Sequence, residues 1–395
     1  MSGLSIPGHG LLQAVRRFAE SGVRRCRPAV LALCLGAVLG GPLAASGPVL
    51  AQQGVAQEIP SENPVQGHVP GNTLGTTSDS DLWRAVRSGA AGKVSIPDEK
   101  SATLVQSEGE LWRALKNGPI ALYGSWALLG MVVMLCLFFA LRGRIRIEHG
   151  RSDETITRFE AIERFGHWLT AVSFVVLGLT GLNVMYGRYV LLPVIGPDAF
   201  SLVTWWGKHL HNYLAFAFMA GLVMIFLMWV RHNIPDRTDI KWVLQAGGLF
   251  SKHLHPPAKK FNAGQKVIFW LTILGGASIS ISGWSLLFPY TTHFFSDTFA
   301  LVNAVAGTEL ATPLTVLQEQ QLATLWHSIM GVFLVCVIIA HIYIGSLGME
   351  GAFDAMGSGE VDLNWAKEHH SLWVEEVQAR EARSGGQGPS AQPAE

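Results

Sequence analysis

Two histidines, His327 and His341, lie inside one apolar stretch, 325–345, that contains no Asp, Glu, Lys or Arg. A polar ring in such a setting needs a partner, because an unpaired polar group is costly away from water. Metal ligation suits neutral imidazoles, and haem iron is commonly held by axial histidine. The interval of fourteen residues from one to the other rises about 21 Å as an α-helix and turns through nearly four turns, so both rings point to nearly the same side. One falls near each edge of a hydrocarbon layer about 30 Å thick. The spacing suggests axial ligands for two stacked b-type haems.

A haem closed on both faces for electron transfer needs histidines from different helices at equal depth. His211 opens the apolar stretch 211–230 on the side of His327, and His167 sits at the start of 165–186 on the side of His341. Depth alone therefore pairs His211 with His327 and His167 with His341. A lone histidine is as readily a packed interfacial residue; four that match in depth favour ligands. His209 competes with His211, since two residues of helix rotate a side chain by about 200° and both cannot face one haem. The residues themselves barely separate the two. His232, His253, His255, His293, His369 and His370 fall in loops or tails and read as surface residues. His149 reads the same way. No Cys-x-x-Cys-His motif is present for covalent haem attachment. The four cysteines, Cys26, Cys34, Cys136 and Cys336, have neither iron–sulfur spacing nor a clear disulfide framework. No molybdenum or tungsten site, flavin fold or nucleotide loop is visible. Such a chain conducts electrons, and something else must load them.

The elements that must position these histidines are membrane helices. Charged residues make up only 15% of the 395 residues, and the apolar ones gather into five stretches, 120–141, 165–186, 211–230, 267–288 and 325–347. Each is close to the roughly 20 residues that cross a bilayer, and helices alone satisfy their own backbone there. The expected fold is an all-α membrane protein with a four-helix di-haem bundle over 158–350 and one additional span at 120–141. Basic residues set the orientation. Arg142, Arg144, Arg146, Arg151, Arg158 and Arg164 follow the first span, and Arg231, Arg237, Lys241, Lys252, Lys259, Lys260 and Lys266 follow the third. Between Lys266 and Lys367 there is no Lys or Arg. Positive charge stays inside, so the loops 186–210 and 289–324 are expected outside and the tail 351–395 inside. The expected setting is an inner membrane, crossed several times.

Ahead of the spans, Arg16, Arg17, Arg24, Arg25 and Arg27 precede an apolar run and a small-residue junction near Ala51. Residues 1–51 therefore read as a signal peptide or a retained N-terminal anchor. Residues 52–119 read as an exported polar segment containing a short echo. Leu82-Trp83-Arg84-Ala85 recurs as Leu111-Trp112-Arg113-Ala114, each copy long enough for a two-turn helix ended by glycine. Glycines such as Gly181, Gly221 and Gly283 suit close helix packing, and the tryptophans near span ends suit an aromatic belt.

At the inner side, Arg158, Arg164 and Lys266 are candidates to neutralise haem propionates, against the plainer reading of positive-inside anchoring. Asn262-Ala263-Gly264-Gln265-Lys266 puts amide and ammonium donors at the start of the fourth span. These could bind a quinone carbonyl, or simply start a helix.

Several motifs together resemble the membrane cytochrome b (gamma) subunit of respiratory formate dehydrogenases, over about 158–380. They are Arg164-Phe165-Gly166-His167-Trp168, His211, His232-Asn233-Ile234-Pro235-Asp236, Asn262-Ala263-Gly264-Gln265-Lys266, His327, His341-Ile342-Tyr343 and Trp365-Ala366-Lys367-Glu368-His369-His370. The resemblance implies His211 rather than His209 as ligand, the same two pairs, and a quinone pocket at Asn262. It implies two haem b groups, and partners in an iron–sulfur beta subunit and a molybdenum- or tungsten-containing alpha subunit. Formate would be oxidised outside by the partner, with no formate catalysis by this chain. Electrons would pass from the His211/His327 haem to the His167/His341 haem and then to quinone. Each inward charge transfer would work against about 2.3 kcal/mol per 100 mV. The familiar short form has four spans, so the exported segment and the span 120–141 resemble a longer bacterial branch. A cytochrome b subunit of a hydrogenase or another respiratory dehydrogenase shares these features. A transporter or scaffold would lack haem.

Overall fold

The computed structural model describes residues 108–251 and 253–385. The expected signal or anchor at 1–51, most of the exported segment, the first copy of the Leu-Trp-Arg-Ala echo and the end of the tail lie outside the described residues. Among the described residues, five helices are long and apolar enough to cross a membrane: Leu111–Arg142, Ala161–Val190, Leu192–His232, Ala263–Leu287 and Val316–Gly348.

Helix α1 (Glu108–Leu115), which holds the second echo copy, runs through a π-turn at Lys116–Ile120 into α2 (Ala121–Arg142). Pro119 lies in that turn, where its missing N–H breaks the regular ladder. A two-stranded antiparallel ladder pairs β1 (Thr155–Thr157) with β2 (Glu360–Asp362). Between these strands come α3 (Ala161–Val190), α4 (Leu192–Trp229), α5 (Arg237–Leu244), α6 (Ala263–Trp270), α7 (Gly276–Leu287), α8 (Phe294–Ala306), α9 (Val316–Tyr343) and α10 (Asp354–Gly357). α11 (Leu363–His369) and α12 (Ser371–Gly385) close the described chain. α6 and α7 form one span through a π-turn.

The helix starts are written locally. Glu160 with Glu163, Asp236 with Asp239, Asn262 with Gln265, and Thr315 with Gln318 form reciprocal capping boxes at α3, α5, α6 and α9. Each box satisfies donors that a helix start otherwise leaves unpaired. α3 packs along α4, α4 against α7, α7 against α9 and α9 against α3, while α2 lies on α9. The most apolar part of the first span has no buried residue. Side chains such as Trp126 and Leu141 point outward, as they do when the solvent is lipid.

The expected loops differ from the structure. α3 continues to Val190, and α4 begins at Leu192, breaks at Gly196 (φ 78) and resumes behind Pro197. From Pro197 to Trp229 that helix is about 50 Å long at 1.5 Å per residue. Hydropathy detects only the part that lipid requires to be apolar, so the stretch 186–210 read as a loop. The stretch 289–324 likewise contains α8 and the first turns of α9.

The largest core lies where residues 351–385 fold back on the segment between α2 and α3. Phe159, Trp229, Phe261, Trp365 and Trp373 meet there. Asp362 caps α11 and accepts from Ser152 N at 2.7 Å. Glu368 accepts from the backbone N–H groups of Glu148 and His149, each at 3.0 Å.

Candidate functional site

The bundle brings the four histidines together as two pairs. His211 and His327 face each other with ring centres 6.1 Å apart. His167 and His341 do so at 6.2 Å. Two metal–imidazole bonds of about 2 Å each, plus the offset from each nitrogen to its ring centre, give about 6 Å. His209 turns away. Its Nδ1 lies 2.9 Å from Trp205 O, and its ring packs at a tilt against Trp205, with centres 4.2 Å apart. Geometry thus separates two residues that the local sequence leaves equivalent.

Hydroxyls set the tautomers at the first pair. Thr180 Oγ1 donates its one proton to backbone carbonyls, Val176 O at 2.8 Å and Leu177 O at 3.1 Å. It therefore accepts from His211 Nδ1 at 2.8 Å. Ser282 Oγ donates to Ile279 O at 2.9 Å and accepts from His327 Nδ1 at 3.0 Å. By this network both rings carry the proton on Nδ1 and keep a lone pair on Nε2. An outer hydrogen bond of this kind orients a ligating imidazole and raises its basicity. Gly283 lets the fourth span approach: a Cβ there would sit 3.2 Å from His327 Cε1.

At the second pair, His167 Nδ1 is buried without a hydrogen-bond partner. A cavity of ≈ 1540 Å³ opens beside it, lined among others by His341, Phe174, Asn262, Gln265 and His369. That exceeds the roughly 300–1,000 Å³ of a single small-molecule pocket. No cluster of three or more His, Cys, Asp or Glu suits a bare metal ion among the described residues. Two imidazoles leave a metal under-coordinated unless a macrocycle supplies the rest. The donor set, spacing and tautomers therefore fit haem.

Asn262 is the N-cap of α6 and accepts from Gln265 N at 2.9 Å, while Gln265 Oε1 accepts from Asn262 N at 3.0 Å. The helix-start reading of this motif is thus present, and both side chains also line the cavity. Lys266 is buried, and its ammonium donates to Asp236 at 3.2 Å, Asp239 at 2.8 Å and Ile234 O at 3.1 Å. Those three bonds use all three donors. Burial alone would raise the Asp236 carboxyl, but hydrogen bonds from Thr238, Lys259 and Lys266 hold it well below the usual range.

Arg158 is only 3% exposed. Its guanidinium lies over Phe159, Trp365 and Trp373 and donates to Lys260 O at 2.5 Å. Nη1 has no partner and the residue lines the cavity, so a donor is free for an anionic group. Burial pushes the guanidinium down to about 9. Arg164 donates to Gly357 O at 3.0 Å.

The histidines expected at the surface correct that expectation in part. His370 is 1% exposed, set between Trp365 and Trp373, with Nδ1 2.8 Å from Lys259 O. His369 lies tilted against Trp365, with ring centres 5.3 Å apart, and its Nε2 is buried without a partner. Burial pushes His369 down to about 4 and His370 well below its ordinary value. Their position after α10 suggests a tail, but the i, i+4 spacing of Trp365 and His369 was a usable signal of one packed helix face. His149, at 72% side-chain exposure, reaches Glu368 at 2.9 Å.

A family model described as prokaryotic cytochrome b561 matches residues 158–359, just over half the chain. The chain belongs to the prokaryotic cytochrome b561 family. Among curated relatives, this cytochrome b561 family member is 27% identical over 234 residues to the cytochrome b556(Fdn) subunit of the nitrate-inducible formate dehydrogenase of Escherichia coli. That match covers 58% of this chain and 95% of the relative. The cytochrome b556(fdo) subunit from the same organism is 28% identical over 225 residues, 57% of this chain and 94% of its own. The cytochrome b556 subunit of formate dehydrogenase from Haemophilus influenzae is 25% identical over 228 residues, 57% and 84%. The stretch matched by the cytochrome b561 family model contains all four paired histidines, Asn262 and Lys266.

Proposed function

We propose that this chain is the membrane electron-transfer subunit of a formate dehydrogenase complex, carrying electrons from an exported iron–sulfur subunit to membrane quinone near the inner side. The observation that carries the reading is the pair of histidine pairs, with ring centres 6.1 and 6.2 Å apart within each, set at two depths fourteen residues apart along α9. Likeness to three formate dehydrogenase cytochrome subunits supports the partner. In this reading α3, α4, the α6–α7 span and α9 form a di-haem four-helix bundle at 158–350, and 120–141 is an added span. The basic segments after the first and third spans face the cytoplasm by the positive-inside rule, with 52–119 exported. Residues 1–51 act as signal or anchor.

Bound at the two pairs, haem b groups would supply two one-electron carriers at different depths. His167, His211, His327 and His341 would hold them. Thr180 and Ser282 fix the imidazoles, Arg158 offers a donor to a propionate, and Asn262 offers its amide to a quinone carbonyl. Lys266 acts on that site through Asp236 and Asp239, which hold the start of α6. The chain does not itself oxidise formate; a molybdenum- or tungsten-containing subunit does. Purification of the intact complex, with haem quantitation and assay using formate and hydrogen as donors, tests the reading. Reduction by hydrogen but not by formate would overturn the partner, and absence of stoichiometric haem would overturn the electron-transfer role.

A further inference from the structure

Reducing a quinone to a quinol takes two electrons and two protons, so a buried quinone site needs a proton route as well as an electron route. One line of titratable groups runs from solvent to the cavity beside His167 and His341. His253 is 80% exposed and its Nδ1 contacts Glu148 Oε1. Glu148 Oε2 lies 2.7 Å from His255 Nε2. The His255 ring stands edge-on to His369, with centres 6.1 Å apart. His369 Nε2 is buried and unpartnered. Glu148, His253, His255 and His369 line the same cavity as Asn262 and Gln265.

We infer that His253, Glu148, His255 and His369 form a proton relay from the aqueous surface into this cavity, where it delivers protons to the bound quinone. The inference rests on the proposed function for its substrate. With His255 Nε2 committed to Glu148, Nδ1 is the nitrogen left to pass a proton on, directly or through one bridging water. At rest His255 donates Nε2–H to the Glu148 carboxylate. When a proton from the His253 side reaches Glu148, His255 shifts to its Nδ1–H tautomer, takes that proton at Nε2 and gives up the Nδ1 proton to His369, which restores the resting Nε2–H. His369 then protonates a quinone oxygen. Each group returns to its starting state with the next proton from solvent, and two passes match the two electrons delivered by the donor. No relay group is oxidised or reduced.

The surroundings suit transfer rather than storage. Hydrogen bonds from His255 and His253 lower Glu148 to about 2, so it rests as a carboxylate and holds a proton only in passing from one ring to the other. Burial keeps His369 neutral at rest, at about 4. The charged and titratable groups that face His369 are Glu368 on its own helix, His255, and Arg158 across the core. His370 beside it is anchored on Lys259 O. Glu368 is held by the Glu148 and His149 backbones, which fixes Glu148 relative to the helix that carries His369.

The test uses the purified complex carrying His255→Gln or His369→Gln, with exposed His293→Gln as control. Haem spectra and binding of the fluorescent quinone analogue 2-heptyl-4-hydroxyquinoline N-oxide are measured first. Pre-reduced protein is then reoxidised with menadione, in H2O and D2O, with and without added imidazole. Both variants should keep their spectra and analogue affinity. Reoxidation should slow by about 10²-fold, within the range of a lost positioned proton donor, with a larger solvent isotope effect and recovery on adding imidazole. The control should match wild type. Wild-type reoxidation rates in both variants would overturn the relay. So would slowing with no response to D2O or imidazole, or loss of analogue binding in both. If His369→Gln fails to fold, His255→Gln on the loop carries the test alone. Wild-type protein that menadione does not reoxidise would overturn the proposed function and the relay with it.

Discussion

Replacing Thr180 with Val and Ser282 with Ala should raise the midpoint potential of the haem at the His211/His327 end and leave the other haem unchanged. Each hydroxyl accepts from a histidine Nδ1, at 2.8 and 3.0 Å, and so makes the opposite nitrogen a better donor to iron. A better donor stabilises the oxidised, more positive iron. A net hydrogen bond is worth about 0.5–1.5 kcal/mol. For one electron, about 59 mV corresponds to a tenfold change in equilibrium, or about 1.4 kcal/mol, so each substitution should shift the potential by about 20–60 mV. Both changes should fall towards the lower end, because Leu177 O and Ile279 O, which the hydroxyls bond at 3.1 and 2.9 Å, then become free to receive the N–H. Spectroelectrochemical titration of the purified complex resolves the two haems. An equal shift of both would refute the assignment of the hydroxyls to one site. A downward shift would refute the tautomer argument itself.

Pyridine haemochrome analysis should give close to two haems per chain, and a ratio near one would remove one pair. His327→Ala should abolish the haem at its own end and His341→Ala the other, as read by redox titration; loss of the same spectral component in both would break the pairing. Asn262→Ala should leave both haems reducible by formate while slowing quinone reduction, by the equivalent of about 0.5–1.5 kcal/mol for one hydrogen bond. Unchanged turnover at limiting quinone would exclude it from that site. The C-terminal lobe should loosen in acid. His369 and His370 have folded values below their unfolded ones, so the unfolded lobe binds more protons and stability falls as pH drops from about 6.5 towards 4. The loss is on the order of 1–3 kcal/mol. Hydrogen exchange of 363–385 at pH 7.5 and 5 measures it, and equal protection at both would contradict the burial argument.

The sequence by itself determined what depends on neighbours along one helix. Apolar length located five spans, and the fourteen-residue interval from His327 to His341 set two depths through the rise of a helix. The pairs Asn262/Gln265 and Thr315/Gln318 carried their helix starts in the local code of capping. Tertiary structure decided whatever needed a partner from elsewhere in the chain. His209 and His211 are equivalent until α9 presents His327 to one of them. Lys266 reads as a donor for a propionate or a quinone until α5 brings Asp239 within 2.8 Å. His369 and His370 read as tail residues until Arg158, Trp373 and the Lys259 carbonyl close around them. Burial is a property of the assembled fold, because it depends on which distant segments displace water from a side chain, and periodicity along one helix carries no record of them.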